Sequence, residues 1–202
     1  MFIIGLTGGI ACGKSAVAEI LRSLGAATYD VDEETYFLLQ PGGELFKAYV
    51  QHFGEQVIMA NGFLDKKLIG EIIFHDDKER QWINSVAHPI LLNRTRQFLV
   101  DSAECGLEVV VLEVPLLFEA GWESLVDEVW AVCIPQELQI QRLVRRDKIT
   151  PQQANARIIS QMPVEEICRR ADVTIKNTDP HDKLYKKVCT ALHGRLNTPM
   201  TE

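Results

Sequence analysis

The sequence predicts an α/β protein: a parallel five-stranded sheet flanked by helices, with a helical insertion and a lid. Short apolar runs rich in valine and isoleucine alternate with segments of helical period, as strands buried on both faces require. The first such run ends in a glycine-rich loop that leads straight into a helical pattern. Between the second and third runs lies a long stretch, residues 35–101, whose patterning is mainly helical.

Taken in order, Phe2 to Leu6 reads as a buried strand closed by Thr7, Gly8 and Gly9. Val17, Ile20, Leu21 and Leu24 then recur at helical spacing, and Gly25 supplies the stop. A second strand is expected at Ala26–Tyr29, leading into Asp30, Val31, Asp32, Glu33 and Glu34. The insertion is punctuated at Pro41-Gly42-Gly43, Asn61-Gly62 and His88-Pro89, each expected as a break, with Tyr36, Phe37, Phe46 and Trp82 expected in its core. Strand character returns at Glu108–Val114 and Glu128–Ile134. Pro135 suits the first position of a helix running to Asp147. Thr150-Pro151-Gln152-Gln153 has the form of a capping box, Asp172–Lys176 of a last strand, and Pro180–His193 of a terminal helix. Leu196–Glu202 reads as a frayed end.

The 202 residues carry 47% hydrophobic and 24% charged side chains, enough for a real core and unlike a disordered chain. A net charge of -7 argues against broad nucleic-acid binding, which needs a basic surface to displace counterions. Cys12, Cys105, Cys133, Cys168 and Cys189 are scattered, with no C-x-x-C pair for zinc or dithiol chemistry. His52, His75, His181 and His193 show no ligand spacing and are expected at the surface. The N-terminus reads as a strand rather than a signal peptide, and no apolar run approaches the roughly 20 residues a membrane span needs. These features suggest a reduced, cytoplasmic setting without a membrane partner.

Gly8, Gly9, Ile10, Ala11, Cys12, Gly13, Lys14 and Ser15 spell G-x-x-x-x-G-K-S between an expected strand and an expected helix. Glycines let such a loop curl so that its N–H groups face phosphate oxygens, and the following helix adds its positive end. Lys14 would neutralise the β- and γ-phosphates, and the Ser15 hydroxyl would ligate Mg²⁺. Cys12 near a helix N-terminus is either a reactive thiol that nucleotide would shield or the filler of a small-residue slot. Asp30 and Asp32, at the end of the second strand, would share one face of an extended backbone. One of them could take the proton of an attacking hydroxyl. Arg142 and Arg146, four apart, share a helix stripe suited either to the equatorial oxygens of a transferring phosphoryl group or to pairing with Asp147.

Taken together with His88-Pro89, Pro115-Leu116-Leu117-Phe118-Glu119 and Arg142-Leu143-Val144-Arg145-Arg146-Asp147, these motifs give a chain that resembles dephospho-CoA kinases over nearly its whole length. The resemblance implies a P-loop nucleotide-kinase-like core at 1–34, 102–147 and 171–202. It implies an acceptor-binding insertion at 35–101 and a lid region at 148–170, of which Lys148 to Gln161 would close over ATP. It also implies ATP and dephospho-CoA as partners, Mg²⁺ arriving with the nucleotide, and transfer to the 3′-hydroxyl of the dephospho-CoA ribose. By the same resemblance Asp32 is the general base, and Asp30 orients the site or reaches Mg²⁺ through water. Lys14, Arg142 and Arg146 complete the catalytic set. ATP contacts run from Gly8 to Ala16 and include Asn177; acceptor contacts are Asp32, His88, Pro115 and Leu116. Two positions depart from the family's pattern: Ile167 where lysine is common, with Arg169 and Arg170 close behind, and Asp179 where glycine is common. The assembly implied is a monomer or small homo-oligomer. The rival readings are another P-loop small-molecule or nucleoside monophosphate kinase, and a GTP-dependent switch, which would need an absent N-K-x-D guanine motif.

Overall fold

The computed structural model describes residues 1–195; the frayed end expected at 196–202 lies outside the described residues. The chain runs β1 (Phe2–Gly8), α1 (Lys14–Ser23), β2 (Ala27–Asp30), α2 (Val31–Leu38), α3 (Glu44–Phe53), α4 (Lys66–His75) and α5 (Asp77–Glu104). It continues through β3 (Val109–Glu113), β4 (Glu128–Cys133), α6 (Gln136–Asp147), α7 (Pro151–Ile159), α8 (Val164–Arg170), β5 (Val173–Lys176) and α9 (His181–His193). Two compact units result: Met1–Tyr29 together with the chain from Ser102 onward, and Asp30–Asp101.

In the first unit the five strands are ordered β2-β3-β1-β4-β5. Parallel registers pair Leu6 with Glu113, Gly8 with Val132, and Cys133 with Lys176. Parallel neighbours need long crossovers, which is why helical segments separate them in sequence. The chain leaves β1 toward β2 on one side while β4 lies on the other, so the loop after β1 sits at the switch in strand order where open α/β sheets bind ligands. Alternate β1 residues Ile4 and Leu6 pack with Val111, Trp130 and Val132 against Val17 and Leu21 of α1 and Leu184 and Val188 of α9. Each such side chain withdrawn from water contributes roughly 1.5–3 kcal/mol. The capping box at α7 forms as expected: Gln153 N–H donates to Thr150 Oγ1 (3.2 Å) and Thr150 N–H to Gln153 Oε1 (2.9 Å).

The second unit corrects several expectations. Pro89 does not break a helix; it lies inside α5, whose 28 residues run through it unbroken. Proline costs one backbone hydrogen bond there, but Ala87, Leu91 and Thr95 on either side are buried, and their packing outweighs it. Tyr36 and Phe37 are not core: they stand 51% and 57% exposed on α2, whose inward residues are Val31 and Leu38. Their spacing from Leu38 puts them off the buried stripe. Phe46 and Trp82 are half-buried. His52 lies at the surface as expected, where its ring stacks on Trp82 at 3.6 Å between centroids and its Nε2 meets Glu79 Oε2 at 2.6 Å. Tyr49 and Phe53 close around the same indole.

Candidate active site

The loop from Gly8 to Ser15 takes its shape from backbone geometry that side chains would block. A Cβ at Gly8 would strike the Val132 carbonyl oxygen of β4, and one at Gly13, where φ is 87°, would strike Asn177 Nδ2. Ala11 also takes the left-handed conformation (φ 61°), uncommon for a residue with a side chain. α1 then opens at Lys14 with no side-chain cap. Among the described residues the Lys14 and Ser15 N–H groups have no acceptor. Uncapped helix N–H groups at the positive end of a helix dipole form an anion site.

The carbonyl side of the same loop is gripped by side chains. Gln139, 1% exposed, donates through Nε2 to Ile10 O at 2.8 Å. Arg142 donates to Ala11 O (3.4 Å), Cys12 O (3.3 Å) and Asn177 O (3.0 Å), and Asn177 Nδ2 to Cys12 O (2.9 Å). The Ile10 N–H donates to Gln161 Oε1 at 3.0 Å. These side chains fix the orientation of the loop's carbonyls. Ile167, where lysine is common in the family, is 3% exposed and serves the core. Asp179 is engaged by Lys187, which holds its carboxyl below the usual range.

Lys14 Nζ lies 3.6 Å from Glu113 Oε2, and Arg22 Nη2 lies 3.8 Å from Glu113 Oε1. The Glu113 side chain is 4% exposed, so this carboxylate needs a cationic partner to stay ionised. Sequence reasoning missed Glu113, although a carboxylate ending an all-apolar buried strand was itself the signal. Next to it, Thr7 Oγ1 donates to Pro115 O at 3.1 Å, and Leu116 is 46% exposed.

The expected stripe of Arg142 and Arg146 divides: Arg142 turns inward to the loop, whereas Arg146 forks onto Asp147 (2.7 and 3.2 Å), which also accepts from Arg157 at 2.6 Å. Cys12 is fully buried and burial pushes its thiol up to about 11, which favours the slot-filling reading over a reactive thiol. Asp30 and Asp32 do not share an extended strand. Asp30 caps α2, its Oδ1 accepting from Asp32 N (2.8 Å) and Glu33 N (3.3 Å), and Asp32 occupies the exposed first helical turn. The helix starts one residue earlier than strand alternation requires, because a capping aspartate satisfies its orphan N–H groups. These acids and His88, exposed on α5, belong to the second unit.

No group of three or more His, Cys, Asp or Glu suited to a metal occurs among the described residues. Mg²⁺ is held through a few oxygens plus substrate phosphates and water rather than by an all-protein cage. The exposed Ser15 hydroxyl at the head of α1 and the Glu113 carboxylate are hard oxygen donors of the right kind.

A glycine loop of this spacing after the central strand, an uncapped helix start and a lysine at its first position on a parallel sheet define a P-loop nucleotide-binding protein. The family model described as dephospho-CoA kinase matches residues 2–182, and the chain belongs to that family. The dephospho-CoA kinase of Carboxydothermus hydrogenoformans is 39% identical over 190 residues, covering 94% of this chain and 92% of that protein. Among solved structures, TT1252 from Thermus thermophilus superposes with a TM-score of 0.79 at 30% identity, over 96% of this chain and 97% of that one. The dephospho-CoA kinase from Campylobacter jejuni gives 0.71 at 27% identity, over 97% and 98%.

Proposed function

We propose that this chain phosphorylates dephospho-CoA with ATP, transferring the γ-phosphoryl group to the 3′-hydroxyl of the ribose in CoA biosynthesis. The observation that carries the reading is the loop fixed as an anion cradle by the protein's own side chains, with orphan N–H groups at Lys14 and Ser15 and carbonyls tied back. Such preorganised donors stabilise developing charge without reorganisation during reaction. In this reading Lys14 leaves Glu113 for the β- and γ-phosphates. ATP contacts run from Gly8 through Ala16 and reach Asn177. Arg142 serves by holding the loop, and Arg146, released from Asp147, meets the transferring group.

Mg²⁺, held by Ser15 and the nucleotide phosphates with Asp30 reached through water, would neutralise phosphate charge when bound. Asp32, exposed in the first turn of α2, takes the proton from the ribose hydroxyl. His88, Pro115 and the exposed Leu116 contribute to acceptor binding. No helix among the described residues is long and apolar enough to cross a membrane, and we place the enzyme in the cytoplasm as a monomer or small homo-oligomer.

A coupled ADP-release assay with a panel of acceptors tests the reaction. Turnover with dephospho-CoA and not with nucleoside monophosphates or shikimate is expected. Equal turnover with a nucleoside monophosphate would remove the proposal.

A further inference from the structure

The Ile10 peptide is held from both sides by glutamines that come from different parts of the chain. Its C=O accepts from Gln139 Nε2 of α6 at 2.8 Å, and its N–H donates to Oε1 of Gln161, which lies between α7 and α8, at 3.0 Å. Gln139 is 1% exposed and fixed in the core. Gln161 is half-buried, and its backbone is anchored only to the turn ending α7, through its N–H to Ile158 O at 3.2 Å. Ile10 lies inside the glycine loop, and the Cys12 N–H there is already bonded to Gly9 O at 3.1 Å. The loop donor met by the movable glutamine is therefore one that a polyphosphate oxygen could use.

We propose that Gln161 is a stand-in for a phosphate oxygen: its side-chain carbonyl holds the Ile10 N–H, as in this structure, and yields it to the incoming triphosphate. Both are oxygen acceptors, but the phosphate oxygen is charged, and hydrogen bonds to charged acceptors are roughly twice as strong as neutral ones. Exchange therefore runs toward nucleotide. Because Gln161 directly follows the end of α7, its release also unties the turn between α7 and α8 from the loop, so filling the phosphate site frees the lid region. Gln139 plays the opposite part, since its bond to Ile10 O keeps the peptide pointed and has no competitor in a phosphate. The inference rests on the proposed nucleotide site but not on the identity of the acceptor.

Titration of a non-hydrolysable ATP analogue by calorimetry, without acceptor, separates the possibilities. Gln161→Ala removes the competitor and should tighten binding by about three- to tenfold, the worth of one neutral hydrogen bond. Gln161→Glu keeps the size, strengthens the hold on the Ile10 N–H and repels phosphate, and should weaken binding by at least tenfold. Gln139→Ala should also weaken it. Thermal melting of each variant shows that it is folded, and the Ile10 amide proton, followed by NMR, should change partner on nucleotide addition in the wild type. If Gln161→Ala binds the analogue equally well or more weakly, or if Ile10 stays bonded to Gln161 in the complex, the stand-in is overturned. Should the titrations split as expected while dephospho-CoA gives no turnover, the stand-in survives and the proposed reaction falls.

Discussion

Around the glycine loop, buried side chains hold backbone atoms: Gln139 and Asn177, 1% and 7% exposed, reach carbonyl oxygens of Ile10 and Cys12, and Arg142 adds Ala11. In the insertion, polar side chains instead hold one another or cap helices near the surface. Arg94 lies 4.0 Å from Glu34 and 3.6 Å from Glu44, Asp30 and Asp65 cap α2 and α4, and His52 rests between Glu79 and Trp82. An unmet buried carbonyl costs about 1–3 kcal/mol, whereas an exposed ion pair is worth about 0–1 kcal/mol. The loop is thus built to keep one shape, and the insertion to present side chains from helices whose surface contacts can be exchanged cheaply. Substitutions in the two places should therefore fail differently, the first through nucleotide binding and the second through chemistry or acceptor binding alone.

The largest effect tests the insertion side. Asp32→Asn removes the proposed base while keeping shape and helix position, and kcat should fall by about 10²–10⁴-fold. Because Asp32 is exposed, the melting temperature should barely move. A variant with normal kcat would show that the insertion supplies no proton acceptor from α2. Lys14→Met tests the loop side, and kcat/KM should drop by about 10²–10³-fold, the cost of losing one donor to developing charge. Stability should fall as well, since the buried Glu113 carboxylate loses a cationic partner. Loss of activity in both variants, with loss of stability in one, is the pattern the comparison requires; equal destabilisation would erase it.

Arg142→Ala probes the carbonyl clamp more finely. Three carbonyl oxygens lose a donor at once, those of Ala11, Cys12 and Asn177. The KM for ATP should rise by roughly 5–150-fold, the equivalent of about 1–3 kcal/mol, with the KM for dephospho-CoA unchanged. Arg146→Ala, which touches no loop atom in this conformation, should instead lower kcat with little change in ATP affinity. If both arginines shifted KM alike, the division between them would be wrong.

These contrasts also mark what the residues reveal before any coordinates. The sheet was legible because buried parallel strands are short apolar runs, and β1, β3 and β4 match theirs within a residue or two at each end. The phosphate loop was legible because its glycines serve local backbone needs. The clamp was not, for Gln139, Arg142 and Asn177 meet the loop across 129, 130 and 165 positions of sequence, and nothing in local spacing reports such contacts. Asp32 was misplaced because strand and helix compete at Asp30, and a capping carboxylate decides for the helix. Pro89 and the exposed Tyr36 and Phe37 escaped for one further reason: helix interiors are settled by which face tertiary packing buries, not by propensity.

The smallest effect concerns Asp147, the last residue of α6, where the loop's own unit carries a cluster of the insertion's kind. Hydrogen bonding from Arg146 holds the Asp147 carboxyl below the usual range, burial opposes this, and the charges of Arg146 and Arg157 add to it. A depressed folded value means that the contribution is fully present above the unfolded aspartate range, near about 3.9, and is lost only as pH falls through the folded value. From pH 8 down to about 5 the cluster should not titrate, so Asp147→Asn should shift the melting temperature by the same small amount at pH 7.5 and pH 5.5. The difference from wild type should close only in stronger acid. High salt should shrink it at every pH, because the Arg146 and Arg157 side chains that pair with it are exposed and screened. A melting difference that grew between pH 7.5 and 5.5 would mean that another titrating group shares this cluster.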